Sequence, residues 1–298
     1  MKCLYAFFFA SLVSVPAFSS FAQPPLTTDP IFVWPDLAPG ETQRTTGTQL
    51  PMRAVDKPPI IRIEKIRRPP MSVYPATKNA NGSAVLILPG GGFGKVVPNL
   101  EGSEAADWLC DLGVTCFVLN YRTRLPNNAQ EPGWKRPLQD AQRAMRWIRA
   151  NADRWNLDRD HIGLLAFSAG GQVGAILITD EEASYKSIDK VDEQSFRPDF
   201  AMLVYPWNMY DKNTDKLMSA IQVNENTPPS FIIHTHDDGS TSLGSVLLYA
   251  DMKRKKVPAE LHVYETGGHG YGTRNRPNSN IGSWTDRATD WLERRLPR

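Results

Sequence analysis

Short, almost purely apolar runs recur along the chain, and longer amphipathic segments stand between most of them. Residues 84–88, 114–120, 161–167, 200–205 and 231–234 are such runs. A strand covered on both faces reads this way, because successive side chains point to opposite sides of the sheet and both sides are apolar. Residues 260–265 make a further strand. Helical spacing fits 100–112, which ends at Gly113, and 136–155, where Leu138, Ala141, Ala144, Met145 and Ile148 share one face. It also fits 172–179, 242–256 (stopped before Pro258) and 281–296. Residues 60–66 alternate apolar and charged positions, as an edge strand does, and 71–75 reads as its partner. Strands alternating with helices predict βαβ units, hence an α/β fold with a mainly parallel central sheet and helices on both faces. No internal repeat is visible, and residues 23–298 read as a single domain. Its first part, 23–59, is too rich in proline for long helices and is expected to wrap over the domain in extended form. The polar stretch 181–197 is expected to be a small surface insertion.

Residues 1–22 follow a different pattern. A single cation, Lys2, precedes an apolar run over 4–18, and Ser20-Phe-Ala22 then offers small residues at peptidase-readable positions. This is the form of a secretory signal peptide cut after Ala22, against the alternative of an uncut anchor. The run is short for a membrane span. The expected location is periplasmic or secreted, with no stable membrane insertion after cleavage. The chain carries 34 Lys and Arg against 32 Asp and Glu, a formal +2, and the basic residues are scattered. The exception, 253–256, ends a predicted helix, where cations suit the dipole. Nothing here points to nucleic acid. Of three cysteines, Cys110 and Cys116 remain after the leader. They are either a disulfide or two small buried hydrophobes.

The chemistry concentrates at two strand ends and one turn. The run at 161–167 leads into Ala166-Phe-Ser-Ala-Gly170 and then directly into a helical segment. A serine on so sharp a turn exposes its hydroxyl, and small residues are required two before and two after it. Ala166 and Gly170 meet that requirement, although small residues also pack ordinary strand–helix junctions. A serine needs a base, and the base needs a carboxylate to orient it. His269 stands among glycines in Gly267-Gly-His-Gly270, just past one strand. Asp237 and Asp238 follow another strand, and either one can serve as the acid while the other caps the loop backbone. His161 is expected on the surface, and His262 lies within a strand. His234 and His236 lack a third ligand at a recognisable metal spacing. Donors for a developing oxyanion are expected from the N–H of Ala169 and from Gly91 and Gly92 in the triple-glycine turn after 84–88. Lys95 lies too close to those glycines for a phosphate loop.

Taken together, these residues resemble the α/β-hydrolase esterases related to acetyl xylan esterases, some of which carry an endo-xylanase-like label. The resemblance runs through Trp34-Pro-Asp-Leu-Ala-Pro-Gly40, Pro89-Gly-Gly-Gly-Phe93, Glu101-Gly102, Leu119-Asn-Tyr-Arg122, Pro137-Leu-Gln-Asp-Ala-Gln-Arg143, Phe167-Ser-Ala-Gly-Gly171 and Gly267-Gly-His-Gly270. It implies Ser168 as nucleophile and His269 as base. Counting four residues on from His234, it also implies Asp238 as acid. Gln172 departs from the histidine common in such relatives, and Gly239-Ser-Thr-Ser242 departs from their Pro-Val-Val-Pro-like run. The implied function is a serine carboxylesterase that deacetylates a carbohydrate such as xylan through an acyl-enzyme, with no cofactor and no metal. The alternatives are other short-chain or feruloyl esters, or an inactive hydrolase fold that binds carbohydrate. Glycosidic cleavage fits poorly, because Asp237 and Asp238 are adjacent and do not supply two opposed carboxyls. Trp134, Trp207 and Tyr271 are aromatic candidates for lining the site.

Overall fold

In a computed structural model of the protein, residues 29–76, 78–125 and 130–297 are described; the signal-peptide expectation at 1–22 lies outside them. Eight strands build the central sheet: β1 (Ile31–Phe32), β2 (Pro70–Tyr74), β3 (Ala84–Leu88), β4 (Thr115–Leu119), β5 (Ile162–Phe167), β6 (Ala201–Val204), β7 (Ser230–Thr235) and β8 (Ala259–Tyr264). Their spatial order is β1-β2-β4-β3-β5-β6-β7-β8. From β4 to β8 all neighbours are parallel, whereas β2 runs antiparallel to both β1 and β4.

The apolar runs have the expected cause. On β3, Ala84, Leu86 and Leu88 join a core on one face, and Val85 and Ile87 join a second core on the other. Helices α2 (Lys135–Ala150), α3 (Ser168–Thr179) and α4 (Leu243–Arg254) cover the first face, and α1 (Glu104–Asp111) and α5 (Trp284–Leu292) cover the second. Among the described residues, no helix is long and apolar enough to cross a membrane.

Several expectations need correction. Residues 60–66 do not pair with 71–75. Only Ile63–Glu64 is strand there, in a small separate sheet between Thr48–Gln49 and Lys95–Val96. The segment 71–75 instead belongs to β2, whose edge is covered by β1 from the proline-rich region. Ile63–Glu64 is therefore the middle strand of that sheet and not an edge, because alternation of apolar and charged positions carries no information about strand partners. The helix expected over 136–155 breaks after Ala150 into a 3₁₀ turn, Ala152–Trp155. The closing helix ends at Leu292.

Residues 181–197 lie largely at the surface, as expected, but the segment is pinned to the body of the domain at Asp192. Asp192 is buried, accepts a hydrogen bond from the Tyr185 hydroxyl at 2.5 Å and pairs with Arg143 of α2 at 2.9 Å. The Tyr185 ring meets Trp34 edge-on at 4.9 Å.

The motifs around Trp34, Arg122 and Asp140 converge on one buried polar cluster. Asp140 accepts from the Trp34 indole N–H at 2.8 Å and from Arg122 Nε at 2.9 Å, and Arg122 Nη1 donates to the Pro39 carbonyl at 2.7 Å. A buried ion pair is tolerated only when its remaining donors and acceptors are matched, and here they clamp the N-terminal segment to the sheet. Cys110 and Cys116 are buried thiols within hydrogen-bonding reach of each other, on α1 and β4.

Candidate active site

The turn at the end of β5 is as tight as its sequence requires. α3 begins at Ser168, whose φ is +52°, a left-handed conformation uncommon for a residue with a Cβ. A Cβ at Gly170 would stand 2.3 Å from the Leu88 carbonyl oxygen, so only glycine fits there. Ser168 lines a cavity of about 500 Å³ above the C-terminal ends of β3 and β5. The N–H of Ala169 lies in the first turn of α3, where backbone donors lack intrahelical partners.

The loop after β8 brings His269 over this turn, with Ser168 Oγ and His269 Nε2 2.7 Å apart. The other ring nitrogen, Nδ1, lies 2.6 Å from Asp238 Oδ2. Asp238 is held in turn by the Ser240 N–H at 2.7 Å and by His234 Nε2 at 3.0 Å, and His234 Nδ1 contacts Ser245 Oγ at 2.8 Å. Asp237 faces elsewhere and accepts the N–H groups of Gly267 and Gly268 at 3.2 and 2.8 Å. Of the two aspartates, Asp238 meets the histidine and Asp237 shapes the loop that carries it.

Burial raises the Asp238 carboxyl, but hydrogen bonds from His234, His269 and the Ser240 N–H outweigh it and hold the group far below the usual carboxylate range. A depressed folded-state value stabilises the fold fully above the unfolded aspartate value of about 3.9, and that stability is lost as pH falls further. Asp238 is therefore ionised wherever the protein is comfortably folded.

His234 is a positioning residue that composition and spacing did not reveal. Its signal was a histidine closing the apolar strand Phe231-Ile-Ile-His234, four residues before the acid. It is fully buried, which only the packing of α4 on β7 decides.

A second buried carboxyl forms the opposite wall. Glu101, 3 % exposed, accepts the Gly90 N–H on Oε2 at 2.7 Å and the Tyr205 hydroxyl on Oε1 at 2.8 Å. The Tyr205 oxygen accepts the Gly272 N–H at 2.9 Å. Glu101 thus joins the glycine turn to the loop bearing His269. Burial raises its carboxyl, opposed by these hydrogen bonds and by His269. The glycines of that turn are sterically required: a Cβ at Gly90 would lie 2.6 Å from Ser168 Cβ, and one at Gly91 (φ +134°) 2.2 Å from the Lys95 carbonyl oxygen. The Gly90 N–H is committed to Glu101, whereas Gly91 and Gly92 both line the cavity.

Glu101→Gln preserves shape but replaces one acceptor with a donor facing another donor. A mispaired buried group costs about 1–3 kcal/mol, so kcat/KM on a short-chain ester is expected to fall about 10- to 100-fold. Steady-state kinetics checks this; an unchanged kcat/KM would remove Glu101 from any positioning role.

The remaining candidates disperse. His161 pairs with Asp158 at 2.8 Å near the surface, and His262 contacts Glu260 at 2.8 Å. His236 is exposed. Trp207 lines the cavity and Trp134 lies on a separate groove, whereas Tyr271, packed 4.3 Å from the Tyr205 ring, lines an adjoining cavity with its side chain buried. Gln172 donates to the Asn208 carbonyl at 2.9 Å, tying α3 to the loop that follows Trp207. Among the described residues, no group of three or more His, Cys, Asp or Glu is placed to hold a metal ion.

The chain is similar to several known proteins. A family model described as BD-FAE matches residues 71–204. An acetylxylan esterase of Xylanibacter ruminicola is 27% identical over 219 residues, covering 65% of this chain and 42% of that protein. The endo-1,4-beta-xylanase B of Butyrivibrio fibrisolvens is 30% identical over 227 residues, covering 70% of this chain and 35% of the other. This chain thus spans less than half the length of either curated relative. The crystal structure of an acetyl ester-xyloside bifunctional hydrolase from Caldicellulosiruptor lactoaceticus superposes with a TM-score of 0.64 at 30% identity, over 76% of this chain and 88% of that one.

Proposed function

Because the chain belongs to the α/β-hydrolase superfamily, among esterases resembling acetyl xylan esterases, we propose that it is a serine carboxylesterase that removes acetyl groups from a carbohydrate such as xylan. The observation that carries this reading is the unbroken hydrogen-bonded chain from Ser168 through His269 to Asp238, set beneath the glycine turn. In the proposed cycle Ser168 Oγ attacks the ester carbonyl while His269 Nε2 takes its proton. Asp238 holds the proton on Nδ1, so that Nε2 is the free base. Negative charge collects on the carbonyl oxygen and is met by the N–H groups of Ala169, Gly91 and Gly92. Collapse expels the sugar oxygen, which takes the proton from His269, and a water activated by the same nitrogen then releases acetate. The cycle uses no cofactor. The base is the neutral form of His269, and Asp238, held ionised by its hydrogen bonds, keeps the remaining ring proton on Nδ1. With 1–22 acting as a leader, the enzyme works in the periplasm or outside the cell, where polysaccharide is met.

The test is acetate release from a panel of acetylated xylo-oligosaccharides, with feruloyl and synthetic short-chain esters alongside. Acetate release from the acetylated sugars at the highest kcat/KM is the expected result. Preference for feruloyl esters would reassign the acyl group, and reducing ends released from deacetylated xylan would replace the reading with glycosidic cleavage.

A further inference from the structure

The cavity over Ser168 adjoins a second one of about 560 Å³, and Ile60, Leu100 and Gly270 line both. The second cavity lies between the N-terminal segment around Lys57 and the loop around Arg276. The charges along these adjoining cavities are uneven. Arg62 is neutralised by Asp56 at 2.6 Å, and Arg274 by Glu104 at 2.6 Å. Lys95 in the first cavity and Lys57 and Arg276 in the second form no ion pair among the described residues. The carboxylates lining the same cavities, Asp56, Glu101 and Asp238, are each taken up by hydrogen bonds or an ion pair, which leaves these three cations as the excess charge on the walls. Clefts lined by one sign of charge focus the field on a ligand of the opposite sign.

Arg276 is the best placed of the three. Its Nη2 donates to the Gly270 carbonyl at 2.8 Å and to the His269 carbonyl at 3.3 Å. Backbone oxygens, rather than a carboxylate, hold the guanidinium, so its charge is fixed in place beside the histidine loop and its other N–H groups are unspent. A planar guanidinium presents paired donors that match a carboxylate.

Resting on the esterase reading above, we propose that the natural substrate is an ester of an acidic saccharide, with the acetyl group over Ser168 and a uronate carboxylate on a neighbouring sugar received by Arg276, Lys57 and Lys95. The leaving alcohol then spans both cavities, and the negative charge selects the substrate without touching the reacting atoms.

The experiment compares kcat/KM for acetylated xylo-oligosaccharides with and without a glucuronate branch, at low salt and at 0.5 M salt. A charge-assisted hydrogen bond is expected to favour the acidic substrate by about tenfold at low salt, with the ratio falling as salt screens the cleft. Arg276→Gln is expected to bring the ratio close to one, and Arg276→Lys to keep most of it. The ratio is the readout because any disturbance of the His269 loop affects both substrates alike and cancels. Lys57→Gln, on the N-terminal segment facing that loop, is expected to lower the ratio as well. Calorimetry with Ser168→Ala adds a reading independent of turnover, in which the acidic oligosaccharide is expected to bind more tightly than the neutral one. Turnover of neutral acetylated sugars with no acidic preference overturns this inference and leaves the esterase reading standing. Failure to hydrolyse any ester overturns that reading, and equal binding of the two oligosaccharides to Ser168→Ala overturns this one in either case.

Discussion

Ser168→Ala is expected to lower ester hydrolysis by about 10⁶-fold, the scale on which loss of an activated nucleophile removes a whole catalytic unit. The remaining machinery does not compensate. The glycine turn still offers donors to an oxyanion, but no atom on the cavity floor forms the acyl intermediate. The fold is expected to survive. Among the described residues, the only side-chain hydrogen bond of Ser168 is to the partly exposed His269, and alanine meets the left-handed φ of +52° no worse than serine does. Acetate release and fluorophosphonate labelling measure the loss, and a melting temperature within a few degrees of the parent shows that the protein is intact. Retained activity in a folded variant would end the serine mechanism.

Asp238→Asn is expected to lower kcat by about 10⁴-fold, because an amide facing His269 Nδ1 favours the tautomer that leaves Nε2 protonated and useless as a base. The damage extends to His234, which shares the same carboxylate oxygen. The comparison that gives this result meaning is Asp237→Asn. The asparagine oxygen there can still accept from the Gly268 N–H, the shorter of the two loop contacts, so the expected loss is about tenfold or less, one weakened hydrogen bond at an exposed site. Equal losses at the two positions, or a larger loss at 237, would reverse the assignment of acid and loop holder.

Much of this arrangement could be read locally. The strand ends carrying Ser168, the two aspartates and His269 announced themselves as short apolar runs breaking into glycine and polar residues, because parallel strands buried on both faces admit little else. The choice between Asp237 and Asp238 was not legible from the residues. Adjacent side chains after a strand point in different directions, and which one reaches His269 depends on the path of a loop 31 residues away. Glu101 was visible only as part of a motif. A buried carboxylate looks like any surface acid in sequence until packing shows that Gly90 and Tyr205 enclose it. The polar composition of 181–197 correctly marked a surface segment, but not its anchoring to arginines of α2, some 46 residues earlier.

By itself, then, the sequence determined the α/β class, the parallel order of strand and helix, and the serine turn with its small neighbours, all consequences of local backbone sterics and side-chain periodicity. The tertiary structure alone decided which strand covers which edge, that Trp34, Arg122 and Asp140 form an anchor rather than a site, and that His234 and Glu101 brace the two sides of the cleft. It also decided that Lys95 lines the cavity over Ser168 while Lys57 and Arg276 line the adjoining one. The physical reason is range. Periodicity and turn chemistry act over a few residues, while hydrogen bonds between buried groups and the sum of charges on a wall depend on distances that exist only once the sheet has brought remote segments together.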